Sequence, residues 1–231
     1  MKKIQLFIAG DSTMADYEDS HYPQMGWGQV LPYFFTDEIK VQNHAASGRS
    51  TKSFLSENRW TEMERQFQSG DYVLIQFGHN DQKLDKERAT DPFTTYQENL
   101  RIMIASARDH GVTPILLTSI ARRHFDEKGF LKDTHGHYPD AVRQLALLEK
   151  VVCIDMLQKT SEAIERLGLN ESKKWFMWLE TNQFSSYPDG AKDDTHLREE
   201  GAMAHAGIFI QELIERSHPL SRYVKKIEVT E

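Results

Sequence analysis

The chain has a single cysteine, Cys153, so no internal disulfide can staple it. At 231 residues it needs none, because a chain of this length buries roughly three quarters of its unfolded surface. Cys153 lies in the apolar run Val151-Val152-Cys153-Ile154 and is expected as a buried free thiol. Long hydrophobic runs are also missing, and no stretch approaches the roughly 20 residues that cross a bilayer as a helix. The opening Met1–Gly10 has two lysines and a short apolar run, which breaks at Gly10-Asp11-Ser12 with no small-residue cleavage site. It therefore reads as a first strand rather than a signal peptide, and a cytoplasmic location is expected. Basic excess is lacking too. A net charge of −7 argues against nucleic acid and anionic membrane surfaces as partners. Repeats, low-complexity tracts and linkers are absent, so residues 1–231 are expected to form one domain.

What is present is a rhythm of short apolar runs bounded by turn residues: Ile4–Ala9, Ile39–Asn43, Tyr72–Phe77, Pro114–Thr118 and Val151–Ile154. Polar stretches with helical spacing separate them. Tyr96–His110 puts Leu100, Ile104 and Ala107 on one face and stops at Gly111. Arg198–Ser217 reads as a closing helix with Ala202, Ala206, Phe209 and Leu213 in one stripe. Strands alternating with helices predict an α/β fold with a parallel sheet covered on both faces. Two stretches fit this poorly. Arg122–Asp140 is rich in charge, Gly and His. Trp175–Lys192 sets Trp175, Trp178, Phe184 and Tyr187 among polar residues, either for stacking on sugars or for packing under a loop.

Ligands of open parallel sheets bind beyond the carboxyl ends of the strands. There the sequence places Gly10-Asp11-Ser12, Asn43–Gly48 and Gly78-His79-Asn80-Asp81, with Asp193-Asp194-Thr195-His196 just before the closing helix. Acyl transfer needs a hydroxyl nucleophile, a base, a carboxylate to orient the base, and donors for the oxyanion. Ser12, on an expected strand-to-helix turn, supplies the hydroxyl and a backbone N–H. Gly48 lets backbone approach closely, Asn80 offers a neutral amide, and His196 is the base. Asp193 and Asp194 are both near enough to orient it.

These four segments resemble the blocks of the SGNH (GDSL-like) hydrolase superfamily, in that family's order. The resemblance implies a three-layer α/β/α sandwich with a five-stranded parallel, flavodoxin-like sheet. It implies Ser12, Asp193 and His196 as catalytic residues, with Asp193 selected over Asp194 by the family's spacing, and Ser12, Gly48 and Asn80 as the oxyanion hole. Gly10–Ala15, Gly26-Trp27-Gly28, Arg122–Asp126 and Tyr138–Arg143 are similar to the rhamnogalacturonan acetylesterase branch. That implies a serine esterase removing O-acetyl groups from pectin-derived oligosaccharides without a cofactor. Competing readings are an acetyl-xylan, lipid or thioester substrate, or a non-catalytic carbohydrate-binding protein.

Arg49 and Arg122 are candidate ligands for a substrate carboxylate, since arginine grips carboxylates with paired hydrogen bonds; Lys52 and Arg123 are further candidates. His135-Gly136-His137 superficially suggests a metal pair, but no third ligand lies near in sequence, and no metal is expected. The acetylated oligosaccharide is the one partner implied, and oligomeric state is left open.

Overall fold

The computed structural model describes residues 3–226. The five apolar runs become strands β1 (Ile4–Gly10), β2 (Ile39–Asn43), β3 (Tyr72–Gln76), β4 (Thr113–Leu117) and β5 (Val152–Ile154), each within one residue of expectation. All pairings are parallel and the sheet order is β2-β1-β3-β4-β5.

Successive strand residues point to opposite faces. Leu6 and Ile8 of β1 join Leu74, Ile115 and Leu117 on one side. Phe7 and Ala9 join Val73, Ile75 and Leu116 on the other. Helices α1 (Thr51–Ser56), α2 (Arg59–Glu64), α3 (Gln97–Asp109) and α4 (Tyr138–Glu149) cover the second face through Phe54, Trp60, Leu100, Ile104 and Val142. Helices α5 (Met156–Glu171) and α6 (Glu199–Glu215) cover the first, through Ile164, Ala202, Phe209 and Leu213. The result is the three-layer α/β/α sandwich, with the α6 stripe as its sequence spacing predicts. No helix among the described residues is long and apolar enough to cross a membrane. Cys153 is a half-buried free thiol, pushed up to about 11 chiefly by burial, with Asp155 adding to it.

Trp175–Lys192 is not simply a loop. Strands β6 (Phe176–Leu179) and β7 (Ala191–Leu197) pair antiparallel in a separate two-stranded sheet. The register jumps: Phe176 faces Leu197 and Met177 faces Asp193, so Asp194, Thr195 and His196 bulge out between two paired positions. Trp175 and Phe184 of this stretch are engaged in packing. Trp175 meets the His205 ring edge-on at 5.5 Å, and the Phe184 ring lies 5.8 Å from Tyr22.

Candidate active site

Ser12 follows β1 in a single turn, closed where the Asp11 carbonyl accepts from the N–H groups of Met14 and Ala15, both at 3.1 Å. The expected helix after Ser12 is not there. The turn is held instead by the segment Gly26-Trp27-Gly28. The Trp27 N–H donates to the Thr13 carbonyl at 2.9 Å. A Cβ on Gly26 would sit 2.2 Å from the Ala15 carbonyl oxygen, and one on Gly28 2.5 Å from that of Met14. Glycine flanks Trp27 because two backbones touch here. Beneath the turn, the Asp11 carboxylate accepts from the Thr13 N–H at 2.9 Å and the Thr13 hydroxyl at 2.8 Å.

The bulge of β7 brings His196 to Ser12. His196 Nε2 lies 3.0 Å from Ser12 Oγ, and Nδ1 lies 2.6 Å from Asp193 Oδ2. Asp193 Oδ1 also accepts the backbone N–H groups of Thr195 (2.7 Å) and His196 (3.0 Å), which folds the segment back on itself. Burial opposes ionisation of Asp193, but the hydrogen bond and charge of His196 and these two N–H groups bring it down to about 2. With Nδ1–H donating to a carboxylate, Nε2 is left as the acceptor for the serine hydroxyl. Asp194 points elsewhere. It accepts from Arg123 at 2.5 Å and from the Trp178 indole N–H at 2.7 Å.

Gly48 and Asn80 stand beside Ser12 on the wall of an open cavity of about 650 Å³. Among the described residues, the Ser12 and Gly48 N–H groups donate to no protein acceptor. Asn80 Nδ2 donates one hydrogen to the Arg49 carbonyl at 3.1 Å, which leaves its second available. Three potential donors thus belong to residues that line the same cavity as Ser12. The reason for glycine at 48 differs from the sequence expectation. A Cβ there would meet nothing within 4 Å, but φ is +78°, a conformation L side chains rarely adopt.

Arg122 reaches the cavity wall, braced by the carbonyls of Thr134 (2.8 Å) and His79 (3.4 Å). Arg49 does not line this cavity; its guanidinium pairs with Glu57 at 2.9 Å and donates to the Ser47 carbonyl. Lys52 donates to the Lys86 carbonyl, and Arg123 is buried against Asp194. His135 faces His79, whereas the His137 ring lies 5.9 Å from Phe93. Among the described residues no three His, Cys, Asp or Glu are grouped to hold a metal ion. Two contributors escaped the sequence reading. Lys83 lines the cavity, and Asp81, buried behind it, ties the segment after β3 to the first residue of α1 by accepting from the Thr51 N–H (3.0 Å) and hydroxyl (2.5 Å).

The model of the GDSL-like lipase/acylhydrolase family matches residues 8–204. Rhamnogalacturonan acetylesterase RhgT of Bacillus subtilis is 43% identical over 96% of this chain and 95% of its own length. The probable rhamnogalacturonan acetylesterase YesY of the same organism is 35% identical over 96% and 97%. Among solved structures, Axe2, an acetylxylan esterase from Geobacillus stearothermophilus, superposes with a TM-score of 0.63 at 17% identity, covering 92% of this chain and 95% of that one. At that identity the likeness speaks for the fold.

The close contact at Gly26 makes Gly26→Ala a probe of the Ser12 turn. The added methyl must displace the Met14–Ala15 backbone, so hydrolysis of 4-nitrophenyl acetate is expected to fall at least about tenfold, as misplacement by an ångström can do. Steady-state kinetics beside a thermal melt check it.

Asp81 gives a pH prediction. Burial raises its carboxyl from 3.8 to about 7, against the Thr51 hydrogen bonds. The folded chain then holds a proton that the unfolded chain releases near pH 4. That contribution to stability is present below about pH 4 and is lost as pH rises to about 7. Asp81→Asn should flatten the fall in unfolding free energy across that window, read by urea titration at several pH values.

Proposed function

The chain belongs to the GDSL-like lipase/acylhydrolase family, and on that premise we propose that it is a serine acetylesterase acting on acetylated rhamnogalacturonan oligosaccharides. The observation that carries the chemistry is the hydrogen-bonded line from Asp193 through His196 to Ser12. His196 Nε2 takes the hydroxyl proton as Ser12 Oγ attacks the acetyl carbonyl carbon. Asp193 keeps the imidazole in the required tautomer and stabilises the imidazolium. The N–H groups of Ser12 and Gly48 and the Asn80 amide hold the oxyanion. His196 returns the proton to the sugar oxygen as the ester bond breaks. Water then attacks the acetyl-serine by the same route, releasing acetate and restoring the hydroxyl. No step requires a cofactor, and the described residues act as one catalytic domain.

The substrate assignment is supported by the 43% identity to a rhamnogalacturonan acetylesterase over nearly the whole chain. The polar and cationic lining, with Arg122 offered to a substrate carboxylate, suits an acidic sugar better than a fatty acyl chain.

Ser12→Ala is expected to lower kcat by on the order of 10⁶, and Asn80→Ala by about 10² to 10³. Unchanged hydrolysis in Ser12→Ala would overturn the nucleophile. Asp193→Asn should cost far more activity than Asp194→Asn, whose partners are Arg123 and Trp178; a reversed ranking would replace the acid. Acetate release should be fastest from acetylated rhamnogalacturonan in a panel that includes acetylated xylan. Preference for xylan would remove the pectic assignment and leave the chemistry standing.

A further inference from the structure

Beside the Ser12 cavity lies a second one of about 370 Å³, and His124 lines both. The two are set on consecutive residues of the β7 bulge, Asp193 on the wall of the first and Asp194 on the wall of the second. In the second cavity Asp194 is already neutralised by Arg123 at 2.5 Å. Its bond to the Trp178 indole N–H, 2.7 Å long, fixes the orientation of that ring. Lys173 Nζ stands 4.7 Å from the Trp178 ring centroid, and Lys132 lines the same space. Among the described residues neither lysine lies within 4.0 Å of a carboxylate oxygen. Nothing in the acyl-transfer chemistry uses them.

The first cavity repeats the pattern. Lys83 and Arg122 line it, and among the described residues neither has a carboxylate partner. Each terminal nitrogen of Arg122 gives one hydrogen to a carbonyl and keeps a second. So each cavity carries two cations with no carboxylate oxygen within 4.0 Å, on a chain whose net charge is −7, although Asp11 and Asp193 act on Arg122 at longer range. Unpaired positive groups in adjoining concave sites, with an oriented aromatic ring in one, are what a polyanionic sugar chain would engage.

We propose that the second cavity is a distal subsite for a uronate unit of the oligosaccharide whose ester lies at Ser12. Lys132 and Lys173 bind its carboxylate and Trp178 borders its ring, while Lys83 and Arg122 serve the unit nearer the serine. This rests on the acetylesterase reading of the first cavity for its register, but its binding test does not need catalysis.

The test is calorimetric titration of unesterified trigalacturonate, at low salt, into the full chain and into the Lys132→Ala/Lys173→Ala variant. The dissociation constant is expected to rise about tenfold in the variant and to weaken with added salt in the unaltered chain. A neutral galactose trisaccharide should bind the unaltered chain at least tenfold more weakly than trigalacturonate. Lys132→Gln/Lys173→Gln, which keeps polar side chains, should lose affinity in parallel, with unchanged melting temperatures showing that both variants fold. Equal affinity in the unaltered chain and both variants, or equal binding of the neutral sugar, would overturn the subsite. Ser12→Ala kinetics judge the esterase reading separately, so either can fail alone.

Discussion

A fully buried carboxylate, that of Asp11, sits directly under the reactive turn, and a buried charge survives only where its lone pairs are met. Burial alone would raise this carboxyl; the charge and hydrogen bond of His79, with the bonds from Thr13, hold it below its ordinary value. Meeting that demand fixes much of the site. Thr13 is pinned by two bonds, and its hydroxyl in turn accepts from Gln76 at 2.9 Å, tying the turn to β3. His79 lies 3.2 Å from Asp11 through Nδ1 and 3.2 Å from His135 Nε2 through its own Nε2, so one proton must lie between the two rings. Burial, with His79 and Arg122 acting in the same direction, brings His135 down to about 2, which keeps it neutral. The carbonyls of His79 and Thr134 then brace Arg122. One buried charge thus sets the loops that follow β1, β3 and β4 relative to each other, and with them Ser12, Asn80 and the cationic wall.

The parts of this arrangement legible in sequence are those governed by short-range rules. The central strands β1, β3 and β4, buried on both faces, read as apolar runs, the edge strands β2 and β5 are shorter or more mixed, and α6 reads from the spacing of Ala202, Ala206, Phe209 and Leu213. Ser12, Gly48 and Asn80 fall where such a sheet must present them, beyond the carboxyl ends of its strands, whereas Asp193 and His196 come from β7 of the separate two-stranded sheet. What was illegible depends on contacts between distant segments. Asp and Ser just after a strand are favoured helix N-caps, but here the backbone of Gly26-Trp27-Gly28 occupies the flank of the Ser12 turn, and the chain continues without a helix. Strand β7, Ala-Lys-Asp-Asp-Thr-His-Leu, has no apolar alternation, because four of its residues serve the site and the bulge rather than a core. Arg49 follows Gly48 directly, yet Glu57 one helix later draws its side chain away.

The pair Asp193 and Asp194 shows how one bulge resolves an ambiguity that spacing alone leaves open. Identical side chains on consecutive residues of a strand face opposite ways. Insertion of three unpaired residues opposite the Phe176–Met177 step then turns one carboxylate to His196 and the other to Arg123 and Trp178. Both are satisfied, so neither competes for the other's partner. The same local geometry that supplies the orienting acid also divides the cleft into two cavities.

The net charge of the chain and the local charge of this cleft differ for a reason of scale. At physiological salt, fields decay over about 8 Å, so the surplus of carboxylates elsewhere on the surface is largely screened at the site. What an incoming ligand meets is the local set, in which Asp193 is tied to His196 and Asp194 to Arg123, while Lys83, Arg122, Lys132 and Lys173 have no such partner among the described residues. An overall charge of −7 and a cationic cleft are therefore compatible, and they act at different ranges. The long-range term gives no steering toward an acidic ligand, so any binding of one rests on contacts made after encounter.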